Sequence, residues 1–153
     1  MNKYWKLFII LLISSFTTSF VYSQSQYSLG LQLGTHISAS LKYDKNDIES
    51  FDINAGFTRQ SNSSTPLVSI GYLRNYEISS NYEGLGWYFG ARTYLDFDNN
   101  SDISIDLLIG LPLGITYNFN ESPFQLFVEI TPYFAIRQNE FNAHGVLGGR
   151  FYF

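Results

Sequence analysis

Beyond residue 26, apolar and polar positions alternate almost without a break. Tyr27, Leu29, Leu31 and Leu33 fall on one face, and Ser28, Gly30, Gln32 and Gly34 on the other. Ile37, Ala39, Leu41 and Tyr43 alternate with Ser38, Ser40 and Lys42, and Phe51, Ile53, Ala55 and Phe57 with Asp52, Asn54 and Gly56. Residues 67–77 form a fourth run whose alternation does not single out an inner face. Leu85 to Phe97 and Ile103 to Tyr117 repeat the pattern, as do Phe124 to Arg137 and Phe141 to Phe153. A period of two is the signature of strands, and helical spacing is hard to find. Stretches rich in Asn, Asp, Ser and Gly separate the runs at 44–47, 60–65, 79–83, 98–101, 118–122 and 138–139. Only the link at Thr35–His36 is weakly marked. The expectation is an all-β domain of eight antiparallel strands.

Composition then decides which way the faces turn. Aromatics reach 18% while charged residues are only 14%, against roughly 25% charged in a typical soluble domain. Hydrophobicity hidden in alternation, without long apolar runs, is what a transmembrane barrel needs. Several runs match the roughly 9–11 residues a tilted strand uses to cross a bilayer. In hydrocarbon an unpaired backbone group is too costly to leave, so strands can span only as a closed sheet. Eight strands close into an up-and-down barrel with both ends of the chain on one side. The lumen of such a barrel is just wide enough for side chains to fill it.

The first residues differ from the rest. Lys3 and Lys6 precede the apolar run 7–13, and small residues follow, ending Val21-Tyr22-Ser23. That order predicts a secretory signal peptide over 1–23, cut before the barrel domain 24–153. Losing Lys3 and Lys6 from nine Lys and Arg leaves seven basic residues against 13 acidic ones, a net of about −6. There is no basic patch for nucleic acid. The absence of cysteine removes disulfides, thiolate metal sites and lipoprotein acylation.

The chain resembles the small outer-membrane β-barrel proteins of Gram-negative bacteria, of the outer membrane protein A or X barrel type. The segments that carry the likeness are 29–34 (LGLQLG), 87–92 (WYFGAR), 110–117 (GLPLGITY), 127–132 (FVEITP) and 145–153 (GVLGGRFYF). The resemblance implies residence in outer-membrane lipid. It also implies that Phe153, with Phe151 before it, is similar to the signal read by the barrel-assembly machinery. Aromatic girdles are expected at both rims. Tyr27, Tyr43, Trp87, Tyr117, Phe124, Phe151 and Phe153 fall at the end holding the termini. Phe57, Phe97, Phe134 and Phe141 fall at the other end. One departure is the long link at 79–83.

The candidate chemistry lies on the inward face, with Lys42, Asp52, Arg92, Asp106, Glu129 and Arg150. Burial demands that such charges pair. Counting across the hairpins pairs Arg92 with Asp106 and Glu129 with Arg150. The expectation is a plug of ion pairs rather than a catalytic site or an open path, and no cofactor. His36 and His144, the only histidines, fall on neighbouring strands toward one rim, where a two-histidine metal site is conceivable but has no certain third ligand. His36-Ile-Ser38 is similar to the His-x-Ser of outer-membrane lipid A deacylases, which offers a lipid-modifying enzyme as an alternative. A soluble lipocalin-like carrier, with the apolar faces turned inward, is the other. Asp96, Asp98, Asn100 and Asp102 imitate the start of a calcium loop, but Ser101 and Leu107 stand where it needs Gly and Glu. The Gly-rich segments 30–34 and 145–149 lack the helix and lysine of a phosphate loop.

Overall fold

The computed structural model describes residues 25–59, 64–78, 83–98 and 104–153. The signal-peptide region and the second half of the calcium-like run lie outside these residues. Among the described residues nine strand segments follow one another. They are β1 (Tyr27–Gly34), β2 (His36–Asp44), β3 (Glu49–Arg59), β4 (Ser64–Glu77), β5 (Leu85–Asp98), β6 (Ser104–Gly110), β7 (Leu113–Asn118), β8 (Phe124–Ala135) and β9 (Glu140–Tyr152). Every pairing is antiparallel, and β1 pairs with β9 as well as with β2, which closes the ring.

Nine segments make eight staves. β6 and β7 lie end to end between the same neighbours, β5 and β8. The register does not slip between them: Arg92 faces Gly110 and Phe89 faces Leu113, so the count across β5 runs straight through residues 111–112. The single strand expected over 103–117 is interrupted because Pro112 has no N–H to give the ladder. Its carbonyl still accepts from Gly90 N at 3.0 Å, and Leu111 N reaches the Pro132 carbonyl at 2.9 Å.

The faces are sorted as the alternation requires of a membrane barrel. Leu31, Ile53, Ile70, Ile115, Val128 and Leu147 point outward and are exposed, while Ser40 and Asp52 are fully buried inside. This orientation overturns the carrier alternative, which needs the apolar faces within. β4, whose inner face was undetermined, turns Thr65, Leu67, Ser69, Gly71 and Leu73 inward. Two small apolar clusters sit inside the lumen: Leu67, Tyr94, Leu108 and Ala135, then Leu73, Tyr88, Phe127 and Val146. β4 contributes a leucine to each, so both of its faces are apolar and the period of two is masked.

Four connections within the described residues are short. Thr35 alone joins β1 to β2, and Lys45–Ile48, Phe119–Pro123 and Ile136–Asn139 are turns. Asn139 takes φ 54°, a left-handed position Asn tolerates better than most residues. Among the described residues no helix is long and apolar enough to cross a membrane.

Candidate functional site: the barrel lumen

Asp52 on β3, Gly71 on β4 and Arg92 on β5 are register partners in one row. Gly71 has no side chain, so Asp52 and Arg92 meet across it. Arg92 Nη2 donates to Asp52 Oδ2 at 2.6 Å. A Cβ at Gly71 would stand 3.0 Å from Arg92 Nε, too close for an ordinary contact. On its other side the guanidinium pairs with Glu129 from β8. Nη1 donates to Oε1 and Nη2 to Oε2, the latter at 3.0 Å. Tyr88 Oη donates to Glu129 Oε2 at 2.7 Å and Thr131 Oγ1 to Oε1 at 2.9 Å. Arg150 Nη2 lies 3.8 Å from Asp52 Oδ2, its Nη1 donates to Gln125 at 3.3 Å, and its Cζ sits 3.9 Å from the centre of the Phe127 ring.

These four charges, two of each sign, have side chains no more than 1% exposed. Taking them out of water is costly, and the mutual pairs and added hydrogen bonds offset that cost. Inward glycines create the room. Gly148 faces Phe127 across β8 and β9, and an added Cβ there would fall into the Phe127 ring. Gly114 makes the same allowance for Tyr88.

The pairings counted along the hairpins are therefore corrected. Arg92 stands opposite Gly110 while Asp106 stands opposite Asp96, and Glu129 faces Val146 while Arg150 faces Gln125. The partners of Arg92 come from β3 and β8, each one strand beyond a neighbour of β5, which counting within a single hairpin does not see. Asp106 instead takes Arg137 at 3.3 Å and Gln138 Nε2 at 2.8 Å near the end opposite the termini. Lys42 pairs with Asp44 at 2.7 Å near the terminal end. Four of the six inward charges thus form a central quartet, and the other two, Lys42 and Asp106, each pair with a further charge near one end. Hairpin counting missed Tyr88, Thr131, Gln125 and Phe127. An inward glycine beside an inward charge was the available signal.

Toward the termini the lumen opens into a polar cavity of about 850 Å³. Lys42, Asp44, Lys45, Asn75, Gln125 and Tyr152 are among its lining residues. At its lip Lys45 Nζ donates to Glu49 at 2.9 Å, and this bond raises the lysine pKa.

His36 and Ser38 both face the lumen, 2% and 3% exposed. Both bond to the same Gln32 Oε1, at 3.4 and 3.3 Å. A membrane lipid outside the wall does not meet this pair, and nothing in the arrangement sets His36 as a base for Ser38.

Aromatic side chains gather at the ends of the outer face. Tyr27 and Tyr43 lie 5.0 Å apart near the termini, where Trp87, Tyr117, Phe124, Phe151 and Phe153 are also exposed in whole or part. Tyr76, Trp87 and Phe89 stack there at 5.0–5.8 Å, and Phe51 meets Tyr72 at 5.3 Å. Tyr72 and Tyr76 belong to β4, whose undetermined face had hidden them. At the far end Phe57, Phe134 and Phe141 are exposed and Phe97 is half-buried.

Ring closure, an apolar exterior and an ion-paired interior together define a small transmembrane-type β-barrel with a filled lumen. The N-terminal β-barrel domain of Pseudomonas aeruginosa OprF has a similar structure. It shares 18% identity at a TM-score of 0.62, with 85% of this chain and 100% of that chain covered. Neisserial surface protein A is also similar, at 17% identity and a TM-score of 0.50, covering 83% of this chain and 93% of that one. At such identities the likeness is one of fold. No family model matches the sequence, and no curated protein does.

Proposed function

We propose that this protein is an integral outer-membrane barrel with a plugged lumen. Its role is structural, or one of surface interaction through its loops, and not enzymatic. The observation that carries the reading is the inversion of burial. Charges occupy the interior, and a predominantly apolar surface occupies the exterior. Water would penalise that exterior as an apolar patch far beyond the few hundred Å² a soluble monomer tolerates. Lipid is the partner that fits it. The two barrel structures of similar fold support the same reading.

The test is to fractionate cells and run boiled and unboiled membrane protein on one gel. Outer-membrane protein that migrates at two positions supports the reading. A single position, with the protein in the soluble periplasm, overturns it. In planar bilayers the plugged lumen is expected to pass little current, and a large steady conductance would remove the plug from the proposal.

Assembly supplies a further prediction. Phe153 N bonds to the Tyr27 carbonyl at 3.0 Å, and the Phe153 ring is 55% exposed on the outside. Phe153→Ala therefore spares the closing hydrogen bond and removes only the exposed ring. We expect its insertion by the barrel-assembly machinery to fall severalfold in cells while refolding in detergent stays normal. Equal insertion of the variant and the parent would refute a terminal signal at Phe153.

A further inference from the structure

One pair of titratable side chains stands apart from the plug. His36 on β2 and His144 on β9 both enter the far end of the lumen, 2% and 7% exposed. Their ring centres are 5.2 Å apart and their planes stand at 82°. Each ring has one nitrogen engaged. Gln32 Nε2 donates to Asn54 at 2.8 Å, which orients Gln32 Oε1 as the acceptor for His36 Nε2 at 3.4 Å. Thr35 Oγ1 donates to the Gly145 carbonyl at 3.4 Å, which leaves its oxygen to accept from His144 Nδ1 at 3.2 Å. These partners favour the tautomers protonated at His36 Nε2 and His144 Nδ1. His36 Nδ1 and His144 Nε2 are left as lone-pair nitrogens. Both are buried and hydrogen-bond to nothing among the described residues.

A neutral imidazole that donates its N–H to an oxygen and presents its other nitrogen is the second-shell arrangement of a metal ligand. Here it occurs twice, in touching rings. Zinc–nitrogen bonds are about 2.0–2.1 Å, and a ring nitrogen lies about 1.2 Å from its ring centre, so an ion shared by rings 5.2 Å apart subtends about 110°, near the tetrahedral angle. The rings are held in place. Tyr133 stacks on His144 at 4.3 Å and Tyr94 lies 5.3 Å from it. The cationic neighbour Arg92 has its charge committed to Asp52 and Glu129. Asp96 and Asp106, opposite one another on β5 and β6, make the approach from the far end acidic.

We propose that His36 Nδ1 and His144 Nε2 bind a divalent transition-metal ion of the zinc class. Among the described residues no group of three or more His, Asp and Glu converges, so water completes the tetrahedron. Two protein ligands make the ion exchangeable, suited to uptake from outside the barrel rather than to a permanent structural role.

The experiment uses the folded barrel in detergent, titrated with Zn²⁺ against a chromophoric chelator. One Zn²⁺ per barrel is expected. His36→Asn and His144→Gln are each expected to weaken binding by at least about 10–100-fold, the loss seen when metal-site partners are removed. The unboiled gel band shows whether each variant has folded. A parent that binds no Zn²⁺ overturns the site, as do folded variants that bind as tightly as the parent. The wild-type chain gives a second readout if a variant fails to fold. Its two histidines yield ring-nitrogen NMR signals that bound Zn²⁺ should shift together, and unmoved signals under saturating Zn²⁺ would reject the proposal.

Discussion

Arg92→Ala should cost about 3–5 kcal/mol of folding free energy, measured by urea unfolding from phospholipid vesicles, because it strands buried carboxylates without their cation. Asp52 and Glu129 lose the guanidinium that bonds both of them. Arg150, 3.8 Å from Asp52, can shield one carboxylate in part. Glu129 keeps only Tyr88 and Thr131 as donors. These remnants place the expected loss in the lower half of the range. The companion is the quadruple variant Arg92→Met, Arg150→Met, Asp52→Asn and Glu129→Gln, which removes all four charges at once. It should recover most of the loss, since a buried ion cluster replaced by neutral groups of similar size is often near neutral in stability. A cost below about 1 kcal/mol for Arg92→Ala would put these charges on a par with solvent-screened pairs and show the plug to be wet.

The direction in which each strand faces was legible because the chain obeys two solvents at once. Lipid demands Leu29, Leu31 and Leu33, the lumen demands Ser28, Gly30 and Gln32, and the period of two follows. Closure followed from the cost of an open edge in hydrocarbon. β4 resisted the same reading because the lumen holds apolar clusters as well as charges. Leu67 and Leu73 face inward while Val68, Ile70 and Tyr72 face lipid, so neither face is marked by polarity. The six inward charges could be named from sequence, but not their partners. Adjacent register is local and follows from turn length. Contact across a closed lumen depends on the tilt and stagger of all the staves together. Gly71 shows what a closer reading could use: an inward glycine between Asp52 and Arg92 is a gap that long side chains cross.

The outer face yields the other large effect. Val128→Arg should destabilise the barrel in lipid by about 2–4 kcal/mol, the cost of a cation on the lipid face near the bilayer midplane. Val128 is 58% exposed and sits between Ile115 on β7 and Leu147 on β9, both also exposed. The charge therefore has apolar neighbours on each side and a long reach to either headgroup layer. Ile136→Arg, in the turn after β8, is the control, because the same charge near the interface costs only about 0–1 kcal/mol. Trp87 lies on the lipid face and reports both unfolding curves by fluorescence. The contrast separates lipid from water as the solvent of this surface. On a water-exposed surface either substitution would fall within about ±0.5 kcal/mol, because the arginine would be hydrated wherever it stood. A depth-dependent penalty has no source except a hydrocarbon layer around the middle of the barrel, so equal and small effects at residues 128 and 136 would take this protein out of the membrane.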